Sequence, residues 1–251
     1  MSMTRKIPWM KYASASNFYP LADRLVPVFM GLALVLAVIG LYLGFIVAPI
    51  DYQQGNSYRI MFIHVPAAWM SMFIYLLLAM YAIISLVWRV KMADIMAYSL
   101  APTGAMFTFI ALLTGALWGR PTWGTYWIWD ARLTSELLLL FLYLGYMGLY
   151  SAIPDRQRAS RAASFLAIVG AVNVPIIYFS VIWWNTLHQG SSFSFSEGAS
   201  MTDAMLYALL LMALACWAYT IAVVLRRAQA LILERKKVAL WASQISKNKG
   251  A

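Results

Sequence analysis

Long apolar stretches separated by short polar ones dominate this chain, and their spacing predicts its elements. Six runs of about 20 or more residues, the length that crosses a hydrocarbon core, are legible: Pro27–Ala48, Met61–Trp88, Ile95–Leu117, Leu133–Ile153, Ala162–Trp184 and Ala204–Leu225. They predict an all-α integral membrane protein, a single domain over 1–251 built as a bundle of six transmembrane helices. No internal repeat divides it. Asn173 and Pro175 lie midway along the fifth run, where a membrane proline predicts a kink whose freed carbonyl is satisfied by a neighbour.

Composition agrees with the pattern. The chain is 63% hydrophobic and 11% charged, too little polar surface for a soluble domain of 251 residues. A net charge of +10 invites a nucleic-acid reading, but the distribution of the cations removes it. Sixteen of the 19 Lys and Arg residues fall before the first run, in the second and fourth connections, or in the tail from Arg226. The other three connections hold only Arg59, Arg120 and Arg132. This alternation is the positive-inside pattern; it predicts cytoplasmic termini, no nucleic-acid partner and a basic tail lying helically on the anionic lipid leaflet. The first run lacks a small-residue cleavage site and is expected to remain as an anchor.

Some chemistry is absent. Cys216 is the single cysteine, so no internal disulfide and no C-x-x-C-H haem attachment is available; inside the last run it reads as apolar filler. No G-x-x-x-x-G-K-[ST] phosphate loop occurs, so any use of ATP belongs to a partner.

The connection Trp118–Arg132 is where the function is to be sought. It contains Trp118, Trp123, Trp127 and Trp129, followed by Asp130. Trp123 and Trp127 share a face if the segment is helical, Trp127 and Trp129 if it is extended; either arrangement makes an apolar platform at the outer interface. Buried indole N–H groups need acceptors. Trp183 and Trp184, at the end of a run, are equally well explained as an aromatic belt. Asp130 precedes Ala-Arg-Leu-Thr and an apolar run, so it reads as the N-cap of the fourth helix, a role compatible with organising a site. Glu136 suits the positive end of that helix and is placed to pair with Arg132. Arg59, Arg120 and Arg132 are either solvated loop charges or bidentate receptors for carboxylates.

Both histidines of the chain, His64 and His188, fall on the same outer side as the tryptophan connection. Proline is favoured at a first helical position, so Pro66 places His64 just ahead of a helix, at the membrane surface. A lone histidine is more often structural. Two that flank one aromatic loop favour a joint ligand site, since neutral imidazole is a common iron ligand.

The run Trp123-Gly-Thr-Tyr-Trp127-Ile-Trp129-Asp130-Ala-Arg132-Leu-Thr resembles the WWD signature of the haem-handling proteins of cytochrome c biogenesis. Six spans, one such loop and one histidine in each flanking connection are similar to the CcmC family within that group. The resemblance covers nearly the whole chain. It implies haem b held at the periplasmic face of the bacterial inner membrane, with His64 and His188 as axial ligands and Trp118, Trp123, Trp127, Trp129 and Asp130 in the loop that faces it. Arg120 or Arg132 would neutralise propionates. It further implies delivery to the chaperone CcmE, beside the ABC transporter subunits CcmA and CcmB and the small membrane protein CcmD. On this reading the chain is a haem-delivery subunit and not a conventional enzyme. Two other classes remain: a bis-histidine membrane cytochrome, whose ligands normally face each other inside a bundle, and a haem permease subunit, against which the sparse polar lining of the spans speaks.

Overall fold

The computed structural model describes residues 8–184, 186–188, 193–194, 198–199 and 201–249. Among them are α1 (Ala15–Tyr42), α2 (Met61–Trp88), α3 (Lys91–Trp123), α4 (Ala131–Ala152), α5 (Arg156–Gly170), α6 (Asn173–Trp183) and α7 (Asp203–Lys249). A two-residue antiparallel ladder, β1 (Phe193–Ser194) with β2 (Gly198–Ala199), lies between α6 and α7. Among the described residues six helical segments are long and apolar enough to cross a membrane, α5 and α6 together counting as one, so the chain is a multi-pass membrane protein. An even number of crossings places the start of α1 and the last turns of α7 at one end of the bundle. The tryptophan connection is at the other.

Helical segments cover all six runs to within a residue at their ends; α2 coincides with its run, and the other segments extend beyond theirs at one end or both. α1 starts at Ala15, and Pro20 and Pro27 lie within it; its first turns bury Phe18 and Ala22 against Met92, Ile95 and Ala228. α3 starts at Lys91 because α2 ends in a tight turn, with Arg89 in the left-handed region at φ 54°. At its other end α3 continues past Leu117 through Trp123. Thr122 Oγ1 donates to the Trp118 carbonyl and the Arg120 guanidinium to the Gly124 carbonyl. Gly124, at φ +79°, closes the helix with its N–H on the Arg120 carbonyl, the glycine cap expected of a helix C-terminus. The basic tail from Arg226 is helical: α7 runs unbroken through Lys249.

The fifth span breaks as Asn173 and Pro175 predict. α5 stops at Gly170 and α6 starts at Asn173. Proline lacks the N–H that would continue the ladder, and its ring crowds the carbonyl four residues back. Asn173 Nδ2 donates to the Ser135 carbonyl on α4 at 2.8 Å, which ties the break to its neighbour.

The centre of the bundle is α2 packed on α3 and α4, with Ile74, Tyr75, Leu78, Leu139 and Tyr143 at 0% exposure. Tyr143 donates to the Ser71 carbonyl at 2.7 Å and stands edge-on to Tyr75, 4.9 Å between ring centres. Gly104 makes this possible. A Cβ there would lie 2.1–2.3 Å from the Tyr143 ring and hydroxyl.

The end opposite the tryptophan connection is held by a charged knot. Arg235 of α7 reaches Asp94 Oδ2 of α3 and the Tyr150 hydroxyl of α4, each at 2.6 Å. Tyr150 and Ser160 donate to the two Asp94 oxygens at 2.8 and 2.6 Å. Four helices meet on one carboxylate, whose lone pairs are taken up by donors, as a desolvated charge requires.

Gly104→Ala is expected to destabilise the detergent-purified protein by roughly 1–3 kcal/mol, the range for overpacking a core. Gly31→Ala, with nothing within 4 Å of its added Cβ, should leave the thermal midpoint unchanged. Equal midpoints for the two variants would contradict this account of the core.

Candidate functional site

His64 sits in the first turn of α2. A 3₁₀ turn, Ser57–Ile60, leads directly into a helix that begins at Met61, so the helix does not wait for Pro66 as its proline predicts. Pro66 forfeits only the bond to the Phe62 carbonyl, a local loss near a helix start. The His64 side chain therefore lies against α3 and not in a loop. Its Nδ1 is 3.0 Å from the Ala111 carbonyl and 3.1 Å from Thr114 Oγ1. A carbonyl can only accept, so Nδ1 carries the proton, and the Thr114 hydroxyl spends its own on the Ile110 carbonyl at 2.6 Å. The tautomer follows: Nε2 keeps its lone pair, the arrangement by which metal-bound histidines are oriented.

Two residues of α3 flank the ring. A Cβ on Gly115 would lie 2.9 Å from His64 Cε1, so glycine lets the imidazole rest on the helix backbone. Trp118, one turn further on, stands edge-on to the ring at 5.7 Å and 77°. Its N–H donates to Gln54 Oε1 at 2.8 Å, across from the first connection.

His188 completes a pair. Its ring centre is 6.4 Å from that of His64, with 32° between the planes, and 6.0 Å from Trp123. Its backbone N–H donates to Thr186 Oγ1 at 3.2 Å. Two imidazoles bound to one metal from opposite sides, at about 2 Å from nitrogen to metal, have ring centres about 6 Å apart. Among the described residues no three His, Cys, Asp or Glu converge as a metal-holding group.

The tryptophans divide into two pairs rather than forming one platform. Trp118 and Trp123, both on α3, meet the histidines. Trp127 and Trp129 lie in the extended segment beyond and meet each other, T-shaped at 5.4 Å. With Phe109, Leu112, Leu113, Leu137 and Leu140 they line an apolar groove of about 440 Å³ between α3 and α4. Trp129 is 77% exposed, whereas Trp127 Nε1 is buried without an acceptor. Trp183 and Trp184 are exposed beyond this site, Trp183 stacked on Phe179, consistent with the belt reading.

Asp130 caps α4 as expected, its Oδ1 accepting from the Leu133 N–H at 2.7 Å. Its Oδ2 is buried with no partner. Arg132 and Glu136 lie near enough for their charges to interact but make no direct ion-pair contact: Glu136 is buried and accepts from Ser71 Oγ of α2 at 2.7 Å. Arg132 lies near enough to His64 for their charges to interact. The other two cations are engaged elsewhere. Arg120 closes α3 and lies over the Tyr126 ring at 5.7 Å; Arg59 donates to the Ala48 carbonyl at 3.1 Å.

Residues 8–243 match the family described as heme exporter protein C. The chain belongs to that family. Several proteins named "Heme exporter protein C" are similar to it over most of their length. One from Bradyrhizobium diazoefficiens is 48% identical over 94% of this chain and 89% of its own. Another, from Escherichia coli strain K12, is 54% identical over 70% and 72%. A third, from Paracoccus denitrificans, is 38% identical over 93% and 97%. Membership of the heme exporter protein C family agrees with the WWD resemblance of Trp123–Thr134. The contributions of Gln54, Ala111, Thr114 and Gly115 to the site come from the packing of α2, α3 and the first connection.

Asp130→Ala should lower the thermal stability by about 1 kcal/mol, the usual worth of an N-cap, while Asp130→Asn, which still accepts from Leu133, should stay close to the parent. Thermal unfolding of the two variants in one detergent checks this; an Asn variant as unstable as the Ala variant would mean that the charge, not the cap, supports α4.

Proposed function

We propose that this chain holds haem b at the outer, periplasmic face of a bacterial inner membrane and delivers it to the chaperone CcmE during cytochrome c maturation. The observation that carries the reading is the histidine pair: 6.4 Å between ring centres, with the His64 tautomer fixed so that Nε2 is free to ligate. Family membership and the relatives' shared name support it. The distribution of Lys and Arg supports the orientation, with the tryptophan end outside and both termini cytoplasmic.

The residues fit the group. His64 and His188 would hold the iron, and Trp118 and Trp123 would pack beside the porphyrin. Arg132, whose charge reaches His64, would receive a propionate, since Arg120 and Arg59 are committed to backbone carbonyls. The unpartnered Asp130 Oδ2 and Trp127 Nε1 are a buried acceptor and a buried donor that a bound polar group or an ordered water would satisfy. Haem, when bound, contributes a vinyl edge for covalent attachment, and that attachment belongs to a residue of the acceptor. This chain's own part is to orient the ligand, balance its charge and exclude water. ATP-driven work falls to the transporter subunits CcmA and CcmB, with CcmD as a further membrane partner. A membrane cytochrome with facing mid-bundle ligands is disfavoured by the position of His64 in the first turn of α2.

The visible absorption spectrum of the purified protein tests the proposal. The parent should show a low-spin, bis-imidazole haem. His64→Ala and His188→Ala should each lose haem or convert to a form that added imidazole restores, and Gly115→Ala should weaken binding by displacing the His64 ring. Haem content and spectrum unchanged in both histidine variants would overturn the axial assignment.

A further inference from the structure

We propose that Gln54, in the first connection, is a positioning residue that sets the orientation of the His64 imidazole through the Trp118 indole. The proposal rests on the reading of His64 as a ligand. What it adds is a second element, remote in sequence from both the histidines and the WWD run, on which the ligand's geometry depends.

Gln54 is firmly placed. Asp51 opens a turn in which its Oδ1 accepts from the Gln53 and Gln54 N–H groups at 2.9 and 2.7 Å. The Gly55 N–H returns to the Asp51 carbonyl at 3.0 Å, with Gly55 at φ +59°, a left-handed position suited to glycine. Ser57 Oγ donates to the Gln54 carbonyl at 2.6 Å. Both backbone groups of Gln54 are thus engaged, and its amide is aimed by a rigid turn. The target is the Trp118 N–H, 2.8 Å away.

An indole has one polar atom. Trp118 packs against the cluster formed by Ala48, Tyr58, Met61, Phe62 and Met205, and apolar packing alone does not distinguish a ring from the same ring turned over. The hydrogen bond to Gln54 does. Trp118 in turn forms one wall beside His64. The bond from Nδ1 to the Ala111 carbonyl is a pivot about which the imidazole can still tilt. Gly115 supplies the floor and Trp118 the side, so the plane of the ring depends on where the indole stands. That plane fixes the direction of the Nε2 lone pair, a supporting-shell control of the kind that tunes metal ligands.

The test uses the full chain in detergent, free of ligand, and the rate at which diethyl pyrocarbonate modifies His64, read by peptide mass spectrometry with His188 as internal reference. Gln54→Leu keeps the volume and removes the acceptor; Gln54→Glu keeps an acceptor at the same reach. We expect Gln54→Leu to raise the His64 rate relative to His188 by about fivefold, the population change that loss of one hydrogen bond brings. Trp118→Phe should do the same, and Gln54→Glu should match the parent. An unchanged ratio in Gln54→Leu would overturn the proposal, as would a Gln54→Glu rate equal to that of Gln54→Leu. Should Gln54→Leu lose helical circular dichroism, Trp118→Phe decides: a raised ratio supports the proposal and an unchanged one overturns it. On haem addition, the low-spin electron paramagnetic resonance signal of Gln54→Leu should shift from the parent's, with Gln54→Glu restoring it. A parent that takes up no haem would sink the proposed function, while the modification rates would still decide whether Gln54 places His64.

Discussion

The hydrogen bond between His64 Nδ1 and the Ala111 carbonyl joins the start of α2 to the last turns of α3, and the arrangement at the tryptophan end follows from it. It selects the tautomer. It also requires the two helices to approach until a side chain on one rests against the backbone of the other, which is why position 115 is glycine and why Thr114 turns its hydroxyl proton inward. A backbone carbonyl within a helix has a second lone pair to offer, so this tether interrupts no helical hydrogen bond. With the imidazole held in this way, Trp118 has a fixed neighbour, Gln54 a fixed target and His188 a partner ring 6.4 Å away.

At the opposite end the logic is electrostatic. Asp94 draws α3, α4, α5 and α7 together through Arg235, Tyr150 and Ser160, where a lone carboxylate would be costly to bury. Between the two ends the bundle is packed with aliphatic and tyrosine side chains, and glycines at 104 and 170 admit the rings of Tyr143 and Tyr75. The result is a scaffold with an ionic knot at one end and an aromatic, histidine-bearing site at the other. Sites on rigid supports of this kind hold their geometry better than sites on loops alone.

The six spans were legible because hydrophobic length is a strong signal in a membrane, where each backbone group must be satisfied within its own helix. Their ends were less so. The polar stretch Gly119–Trp123 continues α3 because Arg120 and Gly124 complete its cap, a local exchange of bonds that hydropathy does not register. The histidine pair was visible from topology and the Asp130 cap from its neighbours in sequence. Arg132 and Glu136 illustrate the limit. Their spacing along one helix invites a pair, yet Ser71 on another helix supplies the carboxylate with a nearer donor. Gln54 was invisible for the same reason. The Asp51–Gly55 turn can be read from its residues, but its target, the Trp118 N–H, exists only once α3 has been extended and packed.

The division of the fifth span has a mechanical meaning. Its first half, α5, is fastened to the ionic knot through Ser160; its second half, α6, leads to the segment that bears His188. A continuous helix would behave as a lever, so that any displacement of His188 would strain the far end of the molecule. The interruption at Ala171 and Val172 acts as a compliant joint, with Asn173 as its bearing on α4. The arm that presents His188 can thus be displaced while the opposite end of the bundle stays locked, and the two histidines stand on supports of unequal stiffness.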